Sequence, residues 1–159
     1  MGVFFDVSEI FQFAIRIEEN GEKFYRKVAE KNAQKEIKEL FNFLADEEVR
    51  HKKIFTEMLG KITKYEPSET YPGEYFQYLR SYADGIVFPP EIEKELDTSA
   101  GVVKALDFGI RRELDSIMYY IEIKSVVPET QHQILDRIIK EERSHFVRLS
   151  KMKEDMEKK

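Results

Sequence analysis

Hydrophobic residues recur every three to four positions over four long stretches of this chain, the spacing of one face of an α-helix. The first stripe is Ile10, Phe13, Ala14, Ile17, Gly21, Phe24 and Val28. It predicts a helix from about Ser8, a favoured N-cap, to about Lys31. The second, Ile37, Phe41, Leu44, Phe55 and Met58, predicts a helix from about Gln34 to Leu59, with Gly60 placed to end it. The third begins near Ser99, carries Val103, Leu106, Ile110, Ile117 and Ile121, and stops before Pro128. The fourth starts at Pro128, a residue favoured at a first helical position. It carries Ile134, Ile138, Leu149 and Met152 and runs into the charged tail Lys151 to Lys159.

Two of these stripes run straight through charge. Glu48 and His51 occupy inward positions of the second helix, and Glu142 and His145 inward positions of the fourth. Residues three apart on a helix share a face, so each pair offers a carboxylate and an imidazole side by side. A charge in an apolar seam is costly unless it is paired or coordinates a metal. Pattern and chemistry conflict at these four positions, and that conflict points to function.

The segment 61–98 has a different character. It holds four of the five prolines and the aromatics Tyr71, Tyr75, Phe76, Tyr78 and Tyr82. Within it, Glu74 to Ala83 reads as a short helix, and Asp84-Gly85 and Pro89-Pro90 as turns. The aromatics suit either an association surface or a cover for the flank of a bundle. A helix of some 25 residues is about 37 Å long. A short loop only sends the next helix back antiparallel, whereas a connection of this size can run the whole bundle and start the third helix from the far end.

An internal repeat agrees. Ile15, Arg16, Glu18 and Tyr25 match Ile110, Arg111, Glu113 and Tyr120, and 113 − 18 gives 95. For the Glu/His pairs, 142 − 48 and 145 − 51 both give 94. The chain therefore reads as two helical hairpins, 8–60 and 99–155, related by a pseudo-twofold and joined by the crossover 61–98 in one all-α domain over 1–159.

The 159 residues suffice for one domain with a core, and 42% hydrophobic with 36% charged residues suits amphipathic helices with charged outer faces. A net charge of −5 argues against a nucleic-acid partner. The absence of cysteine excludes disulfides, Cys-ligated zinc and iron–sulfur clusters within this sequence. There is no apolar run of about 18 residues to span a membrane. The start, Met1-Gly-Val-Phe-Phe-Asp6, lacks the basic region of a signal peptide, so a cytoplasmic protein is expected.

The symmetry selects Glu18, Glu48, His51, Glu113, Glu142 and His145. Small residues near Glu18 and Glu113, Gly21 and Gly109, are expected to leave room for a bulky site. Four carboxylates buried together repel if ionised. Two divalent cations neutralise them, and each imidazole adds one nitrogen ligand. Mixed carboxylate and imidazole ligation suits iron or manganese better than copper. Glu from each of two helices with Glu-x-x-His from each of the other two is the ligand set of di-iron and di-manganese bundles. Tyr25 and Tyr120 lie seven residues beyond their glutamates, as core aromatics or as hydrogen-bond donors to those carboxylates. Glu22, one turn past Glu18, could be an extra ligand, but its repeat mate is Ile117 and it reads as a solvated glutamate or one that supports a ligand; Glu47 and Glu141 lie one step off the inner stripe and read as outer charges, and His132 as a surface residue.

On the segments 17–25, 44–51, 113–117 and 141–145 the chain resembles a ferritin-like di-iron carboxylate protein of the rubrerythrin branch. The resemblance covers the four long helices and not the crossover. It implies a ferritin-like four-helix bundle with one long crossover, two iron ions per chain (or manganese, or a mixed pair), and bridging by Glu48 and Glu142 with Glu18 and Glu113 terminal. It further implies redox chemistry on O2 or H2O2 with oxidation of Fe(II), a separate electron donor, and a homodimer. Rubrerythrins carry a second helix-three Glu one turn from the first, which exchanges between metals. Here those positions are Ile110 and Ser116, and no rubredoxin-type cysteines accompany them. A non-catalytic iron-handling protein, or a metal-free helical scaffold, fits the same pattern and is separated from an enzyme by metal content and turnover.

Overall fold

The computed structural model describes residues 7–62, 73–85 and 98–158. Among them are five α-helices and no strand: α1 (Val7–Lys31), α2 (Lys35–Lys61), α3 (Gly73–Gly85), α4 (Ser99–Lys124) and α5 (His132–Glu157), with a 3-10 turn at Glu129–Gln131. None of these helices is long and apolar enough to cross a membrane.

The helices α1 and α2 pack as one hairpin, and α4 and α5 as another. Across the interface between hairpins, Tyr119 donates to the Ile10 carbonyl at 3.0 Å and Tyr25 to Glu113 at 2.6 Å, so α1 and α4 run antiparallel. On the opposite side, Gln131 reaches the Met58 carbonyl at 3.4 Å and Arg50 reaches Glu141 at 2.6 Å, so α2 and α5 are antiparallel too. It follows that α2 and α4 are parallel, and the chain between them must travel the bundle length, as the long 61–98 segment allows. The helix α3 sits on the flank near the end of α4. Its Leu79 and Ala83 are buried, and Tyr82 stacks on Tyr119 (6.0 Å, 13°) and donates to the Asp115 carbonyl at 2.8 Å. Tyr82 thus covers the bundle side while Tyr78 stays 47% exposed; Tyr71 and the Tyr75 and Phe76 side chains lie outside the described residues.

The apolar core is in two parts. One gathers Ile10, Phe11, Ile17, Phe55, Met58, Tyr119, Tyr120, Ile123, Leu135 and Ile138. The other gathers Phe24, Tyr25, Val28, Ile37, Phe41, Leu44, Leu106 and Leu149. Between them, at mid-length, lies a polar layer.

Every expected inward residue of α1 and α2 is buried. The inner face of α4 is rotated from the expected stripe and comprises Val102, Ala105, Leu106, Gly109, Arg112, Glu113, Ser116, Ile117, Tyr120 and Ile123. Ile121, one step from Tyr120 and so about 100° around the helix, is 49% exposed beside Leu114 and Met118. Helix ends also differ. Ser8 lies within α1 rather than capping it. Gly60 does not stop α2, which runs to Lys61 before the Ile62 N–H turns back to the Leu59 carbonyl. Thr98 caps α4, its hydroxyl accepting from the Gly101 N–H at 2.9 Å. Pro128 is extended (ψ 141°) and opens the 3-10 turn, so α5 proper begins at His132. The short crossover helix continues through Asp84 and Gly85 instead of turning there; Pro89-Pro90 falls outside the described residues.

Phe55 packs between Phe11 (6.4 Å) and Tyr120 (5.0 Å) and has no exposed surface. Phe55→Ala should cost about 3–5 kcal/mol by leaving a cavity, and Ile121→Ala should change stability by no more than about 0.5 kcal/mol. Chemical denaturation of both variants checks this; a comparable loss in each would contradict the assigned inner face of α4.

Candidate metal centre

The polar layer consists of the six residues selected by the repeat: Glu18 from α1, Glu48 and His51 from α2, Glu113 from α4, Glu142 and His145 from α5. None is more than 3% exposed. They form two overlapping quartets. Ligand atoms of Glu18, Glu48, His51 and Glu142 lie within 4.8 Å of one another, as do those of Glu48, Glu113, Glu142 and His145. Glu48 and Glu142 belong to both.

Both imidazoles turn Nδ1 inward. His51 Nδ1 lies 3.0 Å from Glu142 and 3.7 Å from Glu18. His145 Nδ1 lies 3.2 Å from Glu142 and 3.8 Å from Glu113. The outer nitrogens face the flanking carboxylates: His51 Nε2 is 2.8 Å from Glu141, and His145 Nε2 is 3.6 Å from Glu47. Arg50 reaches both Glu47 and Glu141 at 2.6 Å. Glu47 and Glu141 are therefore not merely outer charges. From one step off the inner stripe Glu141 hydrogen-bonds the far side of the His51 ring and so orients it, while Glu47 faces the far side of the His145 ring at 3.6 Å, a charge contact and not a hydrogen bond. Glu22 is half-buried and joins neither quartet. His132 is half-buried too, its Nε2 at 3.2 Å from the Val127 carbonyl.

The tyrosines form a crossed pair. Tyr25 of α1 donates to Glu113 of α4 at 2.6 Å, and Tyr120 of α4 donates to Glu18 of α1. Each ties the unshared glutamate of the opposite hairpin, and burial together with that carboxylate pushes both phenols well above their ordinary range. The two glycines make room for different things. A Cβ on Gly21 would meet the Arg112 guanidinium at 2.8 Å and the Glu48 carboxyl carbon at 3.0 Å, so Gly21 does leave room beside the cluster, whereas one on Gly109 would meet Leu149 at 3.2 Å and Tyr25 at 3.5 Å. Arg112 is the residue that sequence reasoning missed. It is 3% exposed, donates to the Ile17 carbonyl, and lies beside Glu48.

Electrostatics follow from this crowding. Burial opposes charge on both imidazoles, but Glu142 and Glu18 raise His51 to about 12. Glu113 and Glu142 likewise outweigh burial and raise His145 to about 10. Burial and Glu142 lift Glu113 to about 8, and burial with Glu18 and Glu142 pushes Glu48 well above the usual carboxylate range. Burial also opposes the charge on Glu142, but a hydrogen bond from Glu113 and the two imidazoles hold it well below that range. Among the described residues, Glu18 Oε2 and Glu113 Oε2 are buried without a hydrogen-bond partner, and Glu142 Oε1 and His51 Nδ1 approach each other at 3.0 Å without hydrogen-bond geometry. Unpaired buried polar atoms of this kind are costly, and these four point into the quartets. The donor set therefore fits a pair of cations, which would satisfy those atoms and balance the carboxylates.

Comparisons with known proteins agree with this geometry. The sequence model of the rubrerythrin family matches residues 9–153. A Thermotoga maritima protein of known crystal structure, provisionally assigned as a ferritin-like diiron-carboxylate protein, is 31% identical, with a TM-score of 0.70 over 97% of this chain and 98% of that one. A hypothetical protein from Pyrococcus furiosus shares the fold at 20% identity, with a TM-score of 0.72 over 96% of this chain and 90% of its own. A comparison with curated proteins finds no match.

Because Glu48 serves both quartets, Glu48→Ala should abolish the rise in melting temperature caused by added Fe(II) or Mn(II). Glu141→Ala should keep two ions per chain but weaken binding about 10–100-fold. Thermal melts and a metal titration distinguish the two; equal behaviour would refute the assignment. Without metal, the raised His and Glu groups favour the folded state at low pH and lose that contribution as pH climbs through their folded values. Cations compete with those same protons. At fixed metal concentration, the metal-induced rise in melting temperature should therefore be smaller at about pH 5.5 than at about pH 8. Melts across that range check the sign.

Proposed function

The chain belongs to the rubrerythrin family, and from that premise we propose that it is a di-iron carboxylate protein that oxidises Fe(II) with O2 or H2O2. The observation that supports this most directly is the pair of quartets sharing Glu48 and Glu142 in an apolar bundle. In this reading Glu18, Glu48, His51 and Glu142 hold one ion, and Glu48, Glu113, Glu142 and His145 the other. Manganese, or one ion of each kind, suits the same donors. When bound, the ion pair supplies the electrons that reduce the small oxidant.

The chain's own residues do the rest. The shared carboxylates, Glu48 and Glu142, would serve both ions. Tyr25 and Tyr120 hold Glu113 and Glu18 in place through their hydroxyls, and Glu141 and Glu47 face the outer nitrogens of the rings. Leu44, Ile17, Ile117 and Ile138, all buried, line the two apolar clusters that keep bulk water from either end. No second carboxylate stands one turn from Glu113 on α4, where Ile110 is half-buried and Ser116 is buried. Ligand exchange by α4 is absent from this scheme, and reducing electrons come from a separate donor. The same feature favours a second reading, a protein that holds and passes on iron without turnover.

Anaerobic loading with Fe(II), followed by rapid mixing with H2O2 or O2, separates these readings. Oxidation of two irons per chain at a rate lost in Glu142→Ala, continuing with further Fe(II), supports an enzyme. Oxidation that stops at the bound pair supports iron handling, and failure to bind iron at all overturns both.

A further inference from the structure

The six candidate ligands obey the repeat, but the charge around them does not. Arg112 aligns with Ile17, since 112 − 95 is 17, and Gly21 aligns with Ser116. The guanidinium crosses from α4 to α1, where it donates to the carbonyl of its own repeat mate, Ile17. It fills the notch that Gly21 leaves. A Cβ built there would lie 2.8 Å from Arg112 Nη2, 2.9 Å from Nε and 3.0 Å from the Glu48 carboxyl carbon. Guanidinium and carboxylate thus close over the same point, both out of solvent. At the pseudosymmetric place beside Glu142 the repeat puts an isoleucine. Glu48 thus has a permanent cation beside it, and among the described residues none occupies the matching place beside Glu142.

We infer that Arg112 is a positioning residue that orients Glu48 and biases the centre towards its divalent state. This rests on the di-iron reading above. Two divalent ions already balance the four carboxylates. The guanidinium then leaves the loaded core with one surplus positive charge, and each electron removed adds another in a dry surrounding where charges a few ångströms apart interact strongly. Oxidation is opposed while the divalent pair is tolerated. Gly21 is part of the device, because only a residue without a side chain lets the guanidinium lie against Glu48.

The test compares the wild type with Arg112→Gln, Arg112→Lys and Gly21→Ala by Co(II) titration and by mediated redox titration of the iron-loaded proteins. Wild type should bind two Co(II) per chain. Arg112→Gln should raise the oxidised-to-reduced ratio at fixed potential about tenfold or more, a fall of about 59 mV for each one-electron step. Arg112→Lys, which keeps the charge, should stay close to wild type. Gly21→Ala, which keeps the arginine but pushes it off Glu48, should shift the ratio in the same direction as Arg112→Gln by a smaller factor. If Arg112→Gln does not fold, the Gly21→Ala shift decides. Two Co(II) in the wild type with potentials unchanged in Arg112→Gln, or in Gly21→Ala where that variant decides, would overturn this inference alone. Fewer than two Co(II) in the wild type would overturn the di-iron reading and this one with it.

Discussion

Four carboxylates confined to one dry layer must be neutralised, and the rest of the structure is arranged around that demand. Packing alone would fill the mid-section of a helical bundle with leucine and isoleucine, as it does above and below. Here Glu18, Glu48, Glu113 and Glu142 interrupt the apolar seam, and everything nearby answers them: two imidazoles, two phenols and one guanidinium. In the absence of metal, protons on His51, His145, Glu48 and Glu113 serve as the neutralising charge. Such a layer is poor material for stability, since partly satisfied buried polar groups are costly. Its persistence in an otherwise ordinary bundle is the reason to assign it a chemical task.

The way hairpins meet reinforces this view. The crossed tyrosine–glutamate bonds run between α1 and α4, while the Arg50, Glu141 and Glu47 contacts run between α2 and α5. Polar bonds thus hold the two halves together at the level of the centre, and apolar packing, supplemented at one end by Tyr119 on the Ile10 carbonyl and Gln131 on the Met58 carbonyl, holds them beyond it. The tyrosine pair is symmetric, but the outer shell is not. Arg50 aligns with Ser144, and Arg112 with Ile17. The repeat therefore covers the ligands but not the charges that distinguish one side from the other.

Much of this was legible in the residues. The inner stripes of α1 and α2 followed from spacing alone, because each helix buries one continuous face. The six members of the centre followed from the offset near 94. What escaped had physical causes. Glu47 and Glu141 sit off the stripe, and only side-chain length carries them to the outer nitrogens, although their own offset of 94 was a signal that could have found them. Arg112 neighbours Arg111, which does face solvent. Nothing in a periodic pattern tells which of two adjacent arginines turns inward, or that Gly21 is small to accommodate it. On α4 the expected stripe held at Leu106 and Ile117 but not at Ile121, which is apolar yet exposed, so hydrophobicity there did not mark burial. The start of α4 at Ser99 was as expected, whereas the ends of α1, α2 and α5 at Val7, Lys61 and His132 depended on local geometry that spacing does not reveal.

The shared pair, Glu48 and Glu142, has a consequence for how the molecule assembles. Each quartet takes three members from one hairpin and borrows its fourth from the other. The α1–α2 and α4–α5 contacts are local in sequence and form early, whereas joining the halves closes a long loop and comes late. Neither half owns a complete set, so capture of an ion reports the docking of hairpins and not the winding of helices. An ion that takes a whole quartet can be held only once the α4–α5 hairpin has met the α1–α2 hairpin.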